Sequence, residues 1–490
     1  GQLTVQPTAN ANFAGVISGT GSVIYQGPSI WTMQTAQTYT GGTTINGGTL
    51  RMGVANGLAP TGAVTVTTPG VLDLNNNPLA IASLAGNGNV TLGSGALTLN
   101  TTTSTTYSGV MSGTGSLTAA GSGTQILTGP NTYSGGTTVS NTATLQGNTT
   151  SLQGAIANNS ILFFNQPFNG TYAGPLSGAG ELRVSGGGTV TLTGTPTQGS
   201  ATVLGGELDI AAGSTFTATT MTVNAPGTIG GSGTYAANIS NFGTINPAGT
   251  LAVTGNVTFQ PGSFFIADLT PTISDHLNVS GTVTVDPNAT VIANVLPGQY
   301  NVNNIFTIIS AGNPVVGQFQ HVVVANPFFQ VDFLYNQVPP GSVQVNLNIR
   351  NFSEVIQGGN AGAISTCITQ ENMIANSDLE DLVSDIIFFP VGEVIDILNE
   401  MQPSQLRGLT LAEQENSLFA QATFNSRMAE FSKSTCEREI ALSHPLNFWF
   451  NFCYFIFGNN FLNHIWFHQI SSIDYGSKCT DHLDRSYGYS

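Results

Sequence analysis

From Gly1 to about Arg350 the chain repeats one pattern, four to six residues in which Val, Leu or Ile alternate with Thr, then a turn of Gly, Asn, Ser or Pro. Ala63-Val-Thr-Val-Thr67, Ala96-Leu-Thr-Leu99, Thr189-Val-Thr-Leu-Thr193 and Leu251-Ala-Val-Thr254 are examples. Alternation with a period of two puts apolar side chains on one face and Thr on the other, which predicts half-buried strands. No segment of this region has helical periodicity.

Two phrases recur within the pattern. Ile17-Ser-Gly-Thr-Gly-Ser-Val23 is followed by Tyr39-Thr-Gly-Gly-Thr-Thr-Ile45. Met111-Ser-Gly-Thr-Gly-Ser-Leu117 precedes Tyr133-Ser-Gly-Gly-Thr-Thr-Val139, and Leu176-Ser-Gly-Ala-Gly-Glu-Leu182 precedes Thr197-Gln-Gly-Ser-Ala-Thr-Val203. The first residues of the paired phrases lie 22, 22 and 21 positions apart. Weaker copies begin at Leu84 and Ile229. A string of sandwiches would repeat at roughly 100 residues with linkers. Short units of variable length instead predict a β-solenoid, whose rungs need only their neighbours. Rungs of about 22 residues stacked at ~4.8 Å make a long, thin molecule. Glycine turns its corners, and its open ends require caps.

Near Phe352 the pattern changes. Apolar residues fall at helical spacing, as in Leu379, Leu382 and Ile386, then Val391, Val394 and Leu398, then Leu418, Phe424, Met428 and Phe431. Pro390 and Pro403 divide these into short helices. From about His444 the chain is aromatic. In Asn447–Ile456 one face carries Phe448, Phe450, Phe452, Tyr454 and Ile456 and the other begins Asn447, Trp449, Asn451 and Cys453, which suits an outer-membrane barrel strand.

The paired phrases, above all Pro130-Asn-Thr-Tyr-Ser-Gly-Gly-Thr-Thr-Val139, resemble the autotransporter-associated β-strand repeat of bacterial autotransporter passengers. Ser274-Asp-His-Leu-Asn-Val-Ser-Gly281, Thr307-Ile-Ile-Ser-Ala-Gly312 and Val316-Gly-Gln-Phe319 are similar to the closing cap of such passengers, and Leu398–Leu409 looks like the stretch before the barrel. The resemblance implies a right-handed parallel β-helix over 1–350 with its cap at about 250–350, a helical pre-barrel linker over 351–440, and the start of a barrel over 441–490. A closed barrel needs about 8 or more strands of about 10 residues. The tail from His444 to Ser490 has room for about three such strands, so the expectation is a truncated barrel.

Composition narrows the partners. Only 7% of residues are charged, against about 25% in an ordinary globular protein. Of the net charge of −16, residues 1–350 carry three basic and eight acidic side chains, hence −5, and the remainder carries −11. With no basic patch to neutralise phosphates, nucleic acid is excluded as a partner. The four cysteines, Cys367, Cys436, Cys453 and Cys479, all lie late in the chain and none has metal-site spacing.

Candidate chemistry is sparse. Asp275 and His276 could enter a Ser/His/Asp arrangement only on paper, since strand neighbours point to opposite faces and no nucleophile elbow is present. The pair Glu207 and Asp209 shares a strand face and is expected to be solvated. The Gly-rich phrases lack the Asp of calcium-binding nonapeptides and open no phosphate-binding helix. The segment Asn158 to Thr171, with Phe163, Phe164 and Phe168, is either a projecting loop or a wide rung filled by aromatics. No residue is therefore assigned as catalytic, cofactor-binding or metal-ligating, and no cofactor is expected.

The expected function is a non-enzymatic, surface-exposed or secreted passenger, structural or adhesin-like, at the Gram-negative cell surface or outer membrane. Its partners would be an unidentified host or cell-surface ligand, the outer membrane through a barrel, and a second copy if the rod self-associates. One alternative is a β-helix hydrolase or polysaccharide-cleaving enzyme, which would have to gather several of Asp73, Glu181, Glu207, Asp209 and Arg183 in one cleft. The other is a non-functional product of an interrupted gene.

Overall fold

In the computed structural model, residues 1–140, 142–298, 300, 304–337, 339–359, 361, 362, 365 and 386–400 are described. They form an all-β solenoid with very little helix. The expected barrel start and all four cysteines lie outside these residues.

Each rung contributes to three columns of strands, and within a column the strands pair in parallel. The first column runs from Gln2–Val5 through Ser22–Tyr25, Thr43–Ile45 and Ala63–Val66 up to Val283–Val285 and Val316–Gly317. The second begins with Ala11–Phe13, Ile30–Met33 and Thr49–Met52 and resumes as Gly170–Tyr172, Thr189–Leu192 and Glu207–Ile210. The third includes Leu79–Ile81, Leu97–Asn100, Leu117–Ala120 and Thr137–Val139.

The alternation in the sequence is realised directly. Val190 and Leu192 are fully buried, while Thr189 and Thr191 face outward. Val23, Tyr25, Ile45, Val64 and Val66 are likewise closed off from water inside the first column. Outside, Thr98, Thr118 and Thr138 stack in register from rung to rung. Each buried Leu or Val side chain contributes about 1.5–3 kcal/mol, so the core of the rod is a continuous apolar filling that no single rung could form.

The rung is shorter than the phrase spacing suggests. Ser22 pairs with Gln2, Ser200 with Thr220 and Thr124 with Thr144, each an advance of 20 residues. The advance falls to 17 between Thr144 and Ile161 and rises to 26 between Val257 and Val283, where the extra chain leaves the rung as a loop. Asn158 to Thr171 is no projecting loop, because Ile161–Asn165 is an ordinary first-column strand with Phe164 fully buried.

At the far end the pairing reverses. Asn304–Ala311 continues the third column on one edge and pairs antiparallel with Ser342–Ile349 on the other, and Ser342–Ile349 also pairs antiparallel with Phe329–Tyr335. This sheet turns the edge of the stack away from further parallel addition. The helix Val391–Glu400 buries Val394, Ile397 and Leu398. Beside it, the Phe388 ring lies 5.6 Å from Phe329 and 6.2 Å from Tyr300, and Asn326 Nδ2 donates to the Ile387 carbonyl.

Candidate functional surface

Each pair of phrases occupies a corner on two successive rungs, the Ile17 and Tyr39 pair at the turn into the first column and the Met111 and Tyr133 pair at the turn from the second column into the third. Ser18 and Gly19 pair with Thr38 and Tyr39, and the amides of Gly41 and Gly135 donate to the carbonyls of Gly21 and Gly115 at 3.2 and 3.1 Å. A methyl group on Gly135 would come within 2.5 Å of the Gly115 oxygen, so the glycines permit a backbone approach that any other residue would block. The tyrosine points inward. Tyr39 and Tyr133 are buried, and their hydroxyls bond the Thr43 and Thr137 hydroxyls at 2.5 and 2.7 Å.

Two residues before each tyrosine stands a buried amide. Gln37 Oε1 accepts from the Ile17 N–H at 2.7 Å and Gln37 Nε2 donates to the Gly15 carbonyl. Asn131 Oδ1 accepts from the Met111 N–H at 2.9 Å, and its Nδ2 donates to the Ser151 carbonyl at 2.7 Å. Asn131 thereby replaces a strand peptide where the second column is interrupted, satisfying backbone groups of the rungs on either side. The sequence-level signal for this was the polar residue before Thr-Tyr, which spacing alone does not interpret. The glycines, tyrosines and buried amides of the phrases are thus committed to stacking.

The other candidates are dispersed over the rod. Arg51 bridges to Asp73 on the adjacent rung at 2.7 Å. Arg183 pairs with Glu181 at 2.8 Å on a first-column strand, where Thr202 also donates to Glu181. Through these donors the Glu181 carboxyl is held below the usual carboxylate range despite its partial burial. Glu207 and Asp209 lie on the second column, so the residues a hydrolase would have to gather are divided among separate faces.

Asp275 and His276 are both engaged in the scaffold. Asp275 accepts from the Gly249 and Asp268 amides at 2.7 and 3.2 Å, pinning the loop between Leu269 and Ser274. Burial nonetheless raises its carboxyl above the ordinary range. His276 Nε2 lies 2.9 Å from Ser310 Oγ on the next rung, and burial depresses its imidazole. Among the described residues no hydrogen bond joins a carboxylate to that ring, so His276 and Ser310 lack the third member of a triad.

Glu207 and Asp209 are not simply solvated. Both carboxylates lean over Gly230 on the following rung, where an added methyl would meet Asp209 Oδ1 at 2.7 Å and Glu207 Oε1 at 3.0 Å. Thr189 donates to Glu207 at 3.0 Å, while Asp209 Oδ1 is buried without a hydrogen-bond partner. Desolvation, reinforced by the neighbouring Glu207 charge, pushes the Asp209 carboxyl up to about 6. Among the described residues, no three or more His, Cys, Asp or Glu side chains come together as a metal site.

Comparison with known proteins rests on the same stretches. Residues 23–52 and 117–150 match the family model described as the passenger-associated transport repeat. These stretches are autotransporter passenger repeats. They contain Tyr39 with its glycines, and Leu117 through the Tyr133 phrase, so the corner described above is the repeat's own signature. The chain is also 34% identical over 149 residues to the adhesin BmaC autotransporter of Brucella suis biovar 1, covering 28% of this chain. That match spans only 4% of the length of the adhesin.

Proposed function

We propose that this passenger is a non-enzymatic, adhesin-like rod displayed at the bacterial surface or outer membrane, with the right-handed coil that its resemblance to autotransporter passengers implies. The observation that carries the reading is the fate of its reactive side chains. Asp275 bonds backbone amides, His276 bonds a serine without an orienting acid, and Asp73 and Glu181 are neutralised by arginines. What remains is a long outer surface of stacked Thr, Ser and Asn, suited to contact rather than turnover. Similarity to an adhesin of the autotransporter class supports the same conclusion.

The test is proteinase treatment of intact cells that express the chain, with a periplasmic marker followed in parallel. Loss of the passenger with retention of the marker is the expected result. Protection of both would overturn surface display. An adherence assay on the same cells, before and after shaving, then separates an adhesive rod from an inert one.

A further inference from the structure

We propose that the longitudinal edge between the first and second columns, from Phe168 to Asp286, docks a partner polypeptide segment that is both apolar and basic. This rests on the adhesin-like reading and names the chemistry of the partner.

The edge is built by one repeated hydrogen bond. The amides of Leu204, Asn224, Phe242, Gln260 and Asp286 donate to the carbonyls of Val184, Val203, Val223, Asn241 and Phe259, at the end of the first-column strand on the preceding rung, at 2.7 to 3.0 Å. These residues are therefore equivalent positions on successive rungs, and Phe168 turns the same corner further down, packed beneath Gly188. Leu204 and Phe242 are two rungs apart, hence about 10 Å along the rod. Phe168, Leu204, Phe242 and Phe264 are 42%, 39%, 42% and 40% exposed, although each flanks strands whose inward residues are closed to water. Large apolar side chains therefore recur along one edge with Asn224 and Gln260 between them, and exposed apolar groups gathered on one side of a rod and rimmed by polar ones mark a contact site.

Charge selects the occupant. Every arginine among the described residues is already in an ion pair, Arg51 with Asp73, Arg183 with Glu181 and Arg350 with Glu354. Glu207 and Asp209 start just beyond Leu204, and Asp286 closes the ladder. None of the three has a cationic partner among the described residues. A second copy would bring the same unpaired carboxylates, and anionic lipid would be repelled. A basic segment with apolar side chains satisfies both halves of the edge.

The full chain is titrated with a synthetic peptide of alternating lysine and leucine and, separately, with the same peptide carrying glutamate in place of lysine. The lysine peptide should bind roughly tenfold or more tightly than its acidic counterpart and weaken as salt is raised. Phe168→Ser with Phe242→Ser, and separately Glu207→Gln with Asp286→Asn, should each weaken it roughly tenfold. These side chains are at least partly exposed, so circular dichroism should show the same fold. Equal binding of both peptides, or variants with unchanged affinity, would overturn the proposal. Cells displaying the chain separate the two readings. Adherence without peptide binding overturns the edge assignment and leaves the adhesin reading standing, whereas peptide binding without adherence supports the edge and counts against the adhesin reading.

Discussion

Gly135 lies directly over Gly115, its amide 3.1 Å from the Gly115 carbonyl, and this contact joins the two recurring phrases into one corner. Gly135→Ala should therefore destabilise the rod by about 1–3 kcal/mol, because the added methyl meets backbone that cannot rotate away. Gly187→Ala is the control, since nothing lies within 4 Å of its new methyl. Urea unfolding midpoints of the two variants should separate clearly.

Asn131 joins two rungs through one buried carboxamide. Asn131→Leu removes the partner of both the Met111 N–H and the Ser151 carbonyl, and should cost about 2–4 kcal/mol. The expected signature is a lower unfolding midpoint, with faster amide exchange concentrated at Met111.

The Tyr133 and Thr137 hydroxyls should behave as a unit. Tyr133→Phe removes the partner of the buried Thr137 hydroxyl, Thr137→Val removes one of the two bonds of the Tyr133 hydroxyl, and each should cost about 1–2 kcal/mol. The double variant should cost less than their sum, by a coupling of about 0.5 kcal/mol or more. Strict additivity would mean that the hydroxyls do not bond.

Asp209 predicts a pH dependence of defined sign. Its carboxyl rises from 3.8 to about 6 on folding, so the folded state holds the proton more tightly than the unfolded chain. Stability is therefore greatest below the lower value and declines as pH rises through the higher one. Asp209→Asn should remove that decline and raise the melting temperature at neutral pH. A thermal melt series across this window reads it.

Much of the architecture could be read from the residues. Thr189-Val-Thr-Leu192 announced which side chains point in, and the spacing of the phrases announced stacking. The phrase spacing overstates the rung because Ile17 and Tyr39 are not equivalent positions, since Gly19 is the residue that pairs with Tyr39. The burial of Asp209 depends on Gly230, which lies on another rung, and local sequence carries no information about that neighbour. The exposed edge was equally hidden. Leu204 stands 36 residues after Phe168, and Phe242 stands 38 after Leu204, so no local pattern joins them until the rungs are stacked.

Disulfide trapping along one column tests most directly whether the chemistry of this chain is subordinate to parallel stacking of short rungs. Thr118 pairs in register with Thr98 on one side and Thr138 on the other. Cysteines at 118 and 138 should cross-link on mild oxidation. Cysteines at 98 and 138 should not, because two rungs separate them by about 10 Å, beyond disulfide reach. Peptide mapping distinguishes these bridges from any that involve the native cysteines beyond residue 366. Cross-linking of 118 to 138 but not of 98 to 138 is the result this architecture requires. The reverse pattern, or no cross-link in either protein, would contradict it.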